Sequence, residues 1–220
     1  MNKLLTAAAL TAAIAFQTPA NAVVITVLAP GVLSSGSPVA TFDGLTQTPY
    51  GLTTPAGPFI DGGASFTGSG IVMNNGGGGS LGLYAEPFHD TTNYLAVLGG
   101  GSETIAYSKP QDRFGLYWGS VDSYNSISFY KNSVLVASFS GSDISPLIPN
   151  GGQADDSSNR YVVFGGLSFD RVVLASSQNS FEVDNISASA PELSTWIMML
   201  IGFAGTGLVA FRRAKRISTS

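Results

Sequence analysis

Between residues 23 and 190, apolar and polar residues alternate over short runs and almost never recur at the 3.6-residue period of a helix. In "FGLYW", Phe114, Leu116 and Trp118 share one face; in "SISFY", Ile127 and Phe129 do; in "VLVASF", Leu135, Ala137 and Phe139 do. Lys131-Asn132-Ser133 between the last two runs reads as a hairpin turn, since Asn tolerates left-handed backbone angles. "RYVVFG" (160–165), "FDRVVLAS" (169–176) and "SFEVDNI" (180–186) read as further strands. In the last, Phe181 and Val183 face one way while Glu182 and Asp184 face the other. "VVITVL", "VATFDG", "ASFTGSGIVM" and "NYLAVLGG" add earlier strands. Many short strands, each with one apolar face, predict an all-β fold: an antiparallel β-sandwich, with a jelly roll as first choice.

The two ends break this pattern. The opening 22 residues combine Lys3, an apolar stretch from Leu4 to Phe16 and the small-residue exit Ala20-Asn21-Ala22. That is a secretory signal peptide (1–22), which signal peptidase would cut between Ala22 and Val23 after passage through the Sec translocon. At the other end, the 16 residues from Trp196 to Phe211 carry no charge. As a helix they span about 24 Å, somewhat short of a hydrocarbon core of about 30 Å. Snorkelling Arg212 and Arg213 lengthen the span, which predicts a transmembrane helix over about 194–211. The basic tail 212–216 keeps its end cytoplasmic, so the body lies outside.

Charge sharpens the contrast. The whole chain has a formal net charge of −4, but residues 23–190 hold 13 acidic and 5 basic side chains. An acidic body cannot neutralise phosphates, so nucleic acid is excluded as a partner. The chain has no cysteine, which removes thiol catalysis and sulfur-ligated zinc. The body is long enough for one domain, placed at 23–187, with 188–190 as a linker.

Pro191-Glu192, Trp196, Met198-Met199-Leu200, Gly202-Phe203, the small residues 204–207 and Arg212-Arg213 together resemble the PEP-CTERM sorting signal, in the variety with Trp after the Pro-Glu motif. The same tail is also known as an ice-binding protein C-terminal segment, a label that does not itself imply ice binding. Leu193 stands where that motif usually has Pro. The resemblance covers 191–216 and implies processing by exosortase, a membrane-embedded enzyme, near Pro191-Glu192. Gly202, Thr206 and Ala210 form a small-residue stripe on which another membrane helix could dock. "FGLYWGSVDSYNSISFY", "SFSGSDI" and "FDRVVLASSQNSFEVDNI" resemble the sandwich domains of exosortase-dependent surface proteins, and "FEVDNI" is similar to the last strand of jelly-roll carbohydrate-binding modules.

Candidate chemistry is sparse. Gly78-Gly79-Ser80-Leu81-Gly82 matches the G-x-S-x-G pattern, but it sits in a glycine loop and His89 is the sole histidine. Glu86, Asp90 and Glu103 form the closest acidic cluster, without the tight carboxylate pattern of sandwich glucanases. Calcium is the candidate ion, since oxygen ligands are plentiful, with Asp43 and Asp184 expected to meet if the terminal strands pair. Tyr117 and Tyr124 are candidates for contact with sugar rings, whereas Trp118 alternates with Phe114 and Leu116 and belongs to the core. The irregular stretch 143–159 is a candidate rim. The expectation is a non-enzymatic, exported surface or matrix protein, transiently anchored in the inner membrane and associated with exopolysaccharide or biofilm. The alternatives are a permanently anchored lectin and, third, a polysaccharide-acting enzyme.

Overall fold

The computed structural model describes residues 22–36, 40–48, 55–74 and 82–190, together with Phe203. Within them, Val23 packs against the core margin just after the exposed Ala22. The rest of the expected signal peptide lies outside the described residues, as do Pro191, Glu192, Trp196, Gly202, Arg212 and Arg213. Phe203 is helical and exposed. No helix among the described residues is long and apolar enough to cross a membrane.

The alternating runs become ten strands: β1 (Val24–Val27), β2 (Phe59–Asp61), β3 (Ala64–Gly68), β4 (Ile71–Met73), β5 (Tyr94–Val97), β6 (Gly101–Gly119), β7 (Asn125–Lys131), β8 (Val134–Ser140), β9 (Arg160–Ser176) and β10 (Phe181–Ser189). Among the described residues, a single 3-10 turn, Gly141–Asp143, is the one helical element besides Phe203. Every strand pairing is antiparallel.

Two strands are long enough to serve both layers. In β6 and β9 the stretch Gly101–Ala106 pairs with Arg171–Ser176, and Arg113–Trp118 pairs with Arg160–Gly165. Between these halves the register shifts around Gln111, and Gly166 takes φ +76. A residue with a side chain pays a steric cost at that angle, so glycine is where β9 can turn the corner. One layer therefore runs β2-β3-β6-β9-β7-β8 and the other β4-β5-β10-β6-β9-β1. The sequence runs 160–165 and 169–176, read as separate strands, are one bent strand, because glycine permits a change of direction without breaking the ladder.

The core fills the space between the layers with aromatic rings. Phe129 of β7 lies 5.7 Å from Phe114, 5.1 Å from Phe169 and 5.3 Å from Phe164, which joins the two layers. Phe114, Leu116, Trp118, Ile127 and Phe129 are all fully buried, as the alternation predicted. Trp118 packs on Phe181 with centroids 4.6 Å apart. Each such ring contributes roughly 1.5–3 kcal/mol by leaving water.

Three sequence expectations need correction. Leu135 does not share the face of Ala137 and Phe139 but is 54% exposed. The ladder passes from Phe129↔Ala137 to Tyr130↔Leu135, so Val136 is an extra residue, and a bulge reverses the in-out alternation beyond it. "VATFDG" is not a strand in its described part: Ala40 makes one bridge to Ile186, and Asp43-Gly44 is a turn. Ala188 and Ser189, read as linker, belong to β10 and pair with Phe114 and Arg113.

The β7–β8 hairpin closes on Asn132 (φ +49) and Ser133 (φ +66), two left-handed residues as in a type I′ turn. Asn suits the first position, but serine is strained at the second, where glycine is preferred. Ser133→Gly is expected to stabilise the protein by about 0.5–1 kcal/mol, raising the thermal midpoint by roughly 2–4 °C. Phe129→Ala is expected to cost about 3–5 kcal/mol in chemical denaturation, since the cavity would open between both layers.

Candidate functional site

The end of β6 and the starts of β9 and β10 meet loops 82–93, 120–124, 141–159 and 177–180 at one end of the sandwich. The alternation of β10 sends Phe181 and Val183 into the core and Glu182 and Asp184 to the opposite face. That face is not open to solvent. Segment 82–93 crosses it as a strap, and Glu182 and Asp184 are 2% and 0% exposed. The Ala85 amide donates to Glu182 Oε1 at 2.9 Å, the Phe88 amide to Asn159 Oδ1 at 3.2 Å, and the Tyr117 hydroxyl to the Phe88 carbonyl. Leu83 and Tyr84 pack with Ile71, Met73, Tyr94 and Ala96.

Beside the strap opens a polar cleft of about 190 Å³, lined by Tyr84, Ser120, Asp122, Tyr124, Asn150, Gln153, Asn179, Ser180 and Glu182 among others. No lysine, arginine or histidine lines it. Glu182 Oε1 also accepts from Ser180 Oγ, and Oε2 accepts from Ser120 Oγ at 3.4 Å. Burial pushes the Glu182 carboxyl up to about 7, against the pull of those hydrogen bonds. Burial raises Asp122 as well, opposed by the neighbouring Tyr124 hydroxyl. The Tyr124 hydroxyl donates to the Asn179 carbonyl at 2.8 Å, and burial and the Asp122 carboxylate keep it protonated. A second hollow of about 310 Å³ adjoins the first through Gln153 and includes Glu86, Phe88, His89 and Asp90. Loop 143–159 lines both hollows through Asn150, Gly151, Gln153 and Ala154.

The carboxylates named from sequence fall as follows. Asp43 and Asp184 are brought together, though not by pairing of the terminal strands, because β1 pairs with β9. The Ala40–Ile186 bridge does it instead, by seating segment 40–43 against the bulge between Asp184 and Ser187. Asp90 joins them from the strap, a partner the sequence reading had grouped with Glu86 and Glu103 instead. Burial, then a hydrogen bond and repulsion from Asp90, and lastly the Asp43 charge push Asp184 up to about 10. Thr92 ties the strap down, donating from its amide (3.0 Å) and hydroxyl (2.8 Å) to Asp90 Oδ1. The Asn93 amide donates to Asp43 Oδ1 at 3.2 Å.

Asp90 Oδ2 and Asp184 Oδ1 are buried and receive no hydrogen bond from any other described residue, so the only partner each has is the other carboxyl, through a shared proton. Such orphaned oxygens fit a hard cation such as calcium, which takes six to eight oxygens at about 2.3–2.6 Å. The fit is incomplete in number: no group of three or more acidic or histidine side chains converges in a metal-holding arrangement among the described residues. Asp90 and Asp184 would hold the ion, with backbone carbonyls or water supplying the rest.

The other candidates are dispersed. Tyr117 is buried at 1% exposure with Tyr161 and Val163, so it offers no ring face to a sugar. It does face outward on β6, but Leu28 and Leu33 pack over its cluster and the strap takes its hydroxyl. Tyr124 lies in the cleft. Glu103 is remote from Asp90, accepting from the Gly70 amide at 2.9 Å. His89 is a turn residue with Nε2 3.4 Å from Asp156 Oδ1. Of the G-x-S-x-G stretch, only Gly82 is among the described residues. Glu182 escaped sequence reasoning as a site residue, since an outward carboxylate on an alternating strand normally meets water.

The raised Glu182 gives a pH prediction. In the folded chain this carboxyl prefers to be neutral, so its stabilising share is complete below the unfolded value near 4.3. It is lost as pH climbs through about 7. Urea unfolding from pH 4.5 to 8 is expected to show falling stability, with a shallower decline in Glu182→Gln.

No protein-family model and no curated protein matches the chain. Among solved structures, the chain is similar to a family-32 carbohydrate-binding module (GH31 CBM32-2) bound to GalNAc, at 13% identity and a TM-score of 0.30, with 56% of this chain covering 97% of that one. It is also similar to the enzymatically active domain of tailspike protein 4 from bacteriophage CBA120, at 12% identity and a TM-score of 0.25, with 57% of this chain covering 19% of that one.

Proposed function

We propose that this chain is an exported, non-enzymatic surface protein whose jelly-roll-like sandwich binds carbohydrate in the polar cleft beside the strap. The observation that carries the reading is the cleft itself. It presents carboxylates, amides and hydroxyls from four loops on a rigid two-layer scaffold, which is the kind of donor and acceptor array that orients a polyol. Glu182 supports a binding rather than a catalytic role, because the Ala85 amide, Ser180 and Ser120 already engage its two oxygens. Calcium held by Asp90 and Asp184 would fasten the strap that forms one wall. Sorting by the exosortase route rests on the motif at 191–216 and completes the proposal. The tail places the body outside the inner membrane, and cleavage near Pro191-Glu192 passes it to the cell surface or matrix.

A polysaccharide-acting enzyme has one observation in its favour: burial lifts Glu182 to about 7, a range suited to a general acid, and Asp122 shares its cleft.

A glycan array with and without calcium tests the binding reading. Retention of at least one neutral or acidic saccharide is expected, weakened by Asp122→Asn with Tyr124→Phe, and silence in both conditions would remove it. Release of shorter saccharides from a bound polymer would favour the enzyme. Calcium is expected to raise the thermal midpoint of the wild-type chain and to leave Asp184→Asn unmoved. Fractionation with and without exosortase, followed by intact mass, is expected to give an extracellular form lacking residues after the Pro191-Glu192 region only when the enzyme is present. An uncut extracellular form would instead mean a permanent anchor.

A further inference from the structure

The charge of the sandwich is segregated along its strands. The strap end holds Asp90, Asp122, Asp155, Asp156, Glu182 and Asp184. At the opposite end, where β6 and β9 turn from one layer to the other, lie Lys109, Arg113, Lys131 and Arg171, four of the five basic side chains between residues 23 and 190. Lys109 and Arg171 line a hollow of about 470 Å³, the largest of those described above, together with Tyr107, Pro110, Asn132 and Asp170. Lys131 flanks it on the hairpin and donates to Ser168 Oγ at 2.9 Å. The Arg171 guanidinium lies over the Tyr130 ring at 4.5 Å, which fixes its plane and leaves its N–H edges without a hydrogen-bond partner among the described residues.

None of the three carboxylates at this end, Asp170 in the hollow included, pairs with a basic side chain among the described residues, and each accepts from a neutral donor instead. Asp170 accepts from the Asn132 amide at 2.9 Å, Asp61 from the amides of Thr41 (3.1 Å) and Phe42 (2.8 Å), and Asp112 from Ser189 Oγ at 3.4 Å. Leading away from the hollow, the strand rows on the outer face of the first layer carry no carboxylate among the described residues. Across the strands the register aligns Ile60, Ser65, Ala106, Arg171, Tyr130 and Leu135 in one row. Thr67, Thr104, Val173, Ser128 and Ser138 form the next, about 7 Å further along the strands.

We infer that this basic hollow and the hydroxyl-bearing face beside it form a second binding surface, for an extended polysaccharide that carries carboxylates. The acidic excess at the strap end repels such a polymer there, and among the described residues the free positive charge lies at the bend. Arg171 suits a carboxylate because its planar fork can pair with both oxygens, while Lys109 and Lys131 act as point charges along the chain. The row of Thr67, Thr104, Ser128 and Ser138, interrupted by Val173, supplies hydroxyls one strand apart without a repelling charge. This surface is separate from the cleft and does not depend on it.

Retardation of the full chain in gels containing polygalacturonate, with dextran as the neutral control, tests the inference. Binding to polygalacturonate at 20 mM NaCl is expected, without retardation by dextran, and falls by about tenfold in Lys109→Glu/Lys131→Glu at unchanged thermal midpoint. A similar loss is expected at 300 mM NaCl. Wild-type affinity in the double variant, no retardation at low salt, or equal retardation by dextran would each overturn it. Asp122→Asn with Tyr124→Phe is expected to bind polygalacturonate as the wild type does. If that pair abolishes retardation instead, the polymer sits in the cleft, which removes this inference and leaves the cleft reading in place.

Discussion

The sandwich depends on two strands that must belong to both layers at once. Because β6 and β9 pair with each other before and after their bends, the layers cannot slide or separate without breaking a shared ladder. The phenylalanine cluster around Phe129 fills the space that this fold-over encloses, so hydrogen bonding fixes the geometry and apolar burial stabilises it. With no cysteine to cross-link it, the domain depends on this shared core for its stability.

That constraint also creates the chemistry. Bringing β10 beside β6 points Glu182 and Asp184 to the outer side of a layer, and the strap 82–93 then covers them. Burying carboxylates is costly unless amides, hydroxyls or cations compensate. The chain supplies amides and hydroxyls to Glu182, but it leaves one oxygen each of Asp90 and Asp184 with no donor except the other carboxyl. Segment 82–93 is therefore held by polar contacts as much as by packing, and its position governs access to both hollows at that end.

Charge separation adds a second axis. Carboxylates gather where the loops are long, and basic side chains gather where the strands turn over. The two ends present different chemistry to solvent, and the flat face between them carries serine, threonine and small apolar side chains. A polymer or surface that meets the molecule is thus sorted by charge before any specific contact forms.

Alternation in the sequence determined the strands that pack the core: Phe114, Leu116, Trp118, Ile127 and Phe129 lie inside because period-two patterning leaves them no other stable face. The hairpin at Asn132 was legible for the same local reason, since left-handed angles belong to few residues. Composition alone revealed the acidic excess of the body. Pairing partners, by contrast, are long-range. That β1 joins β9, that two runs fuse at Gly166, and that a bulge at Val136 exposes Leu135 all depend on which strand lies alongside. The site was hidden most deeply. Tyr117, Glu182 and Asp184 look outward by alternation, yet only the tertiary structure lays Leu28 and Leu33 over the first and the strap over the other two, and burial by a distant segment leaves no trace in local sequence.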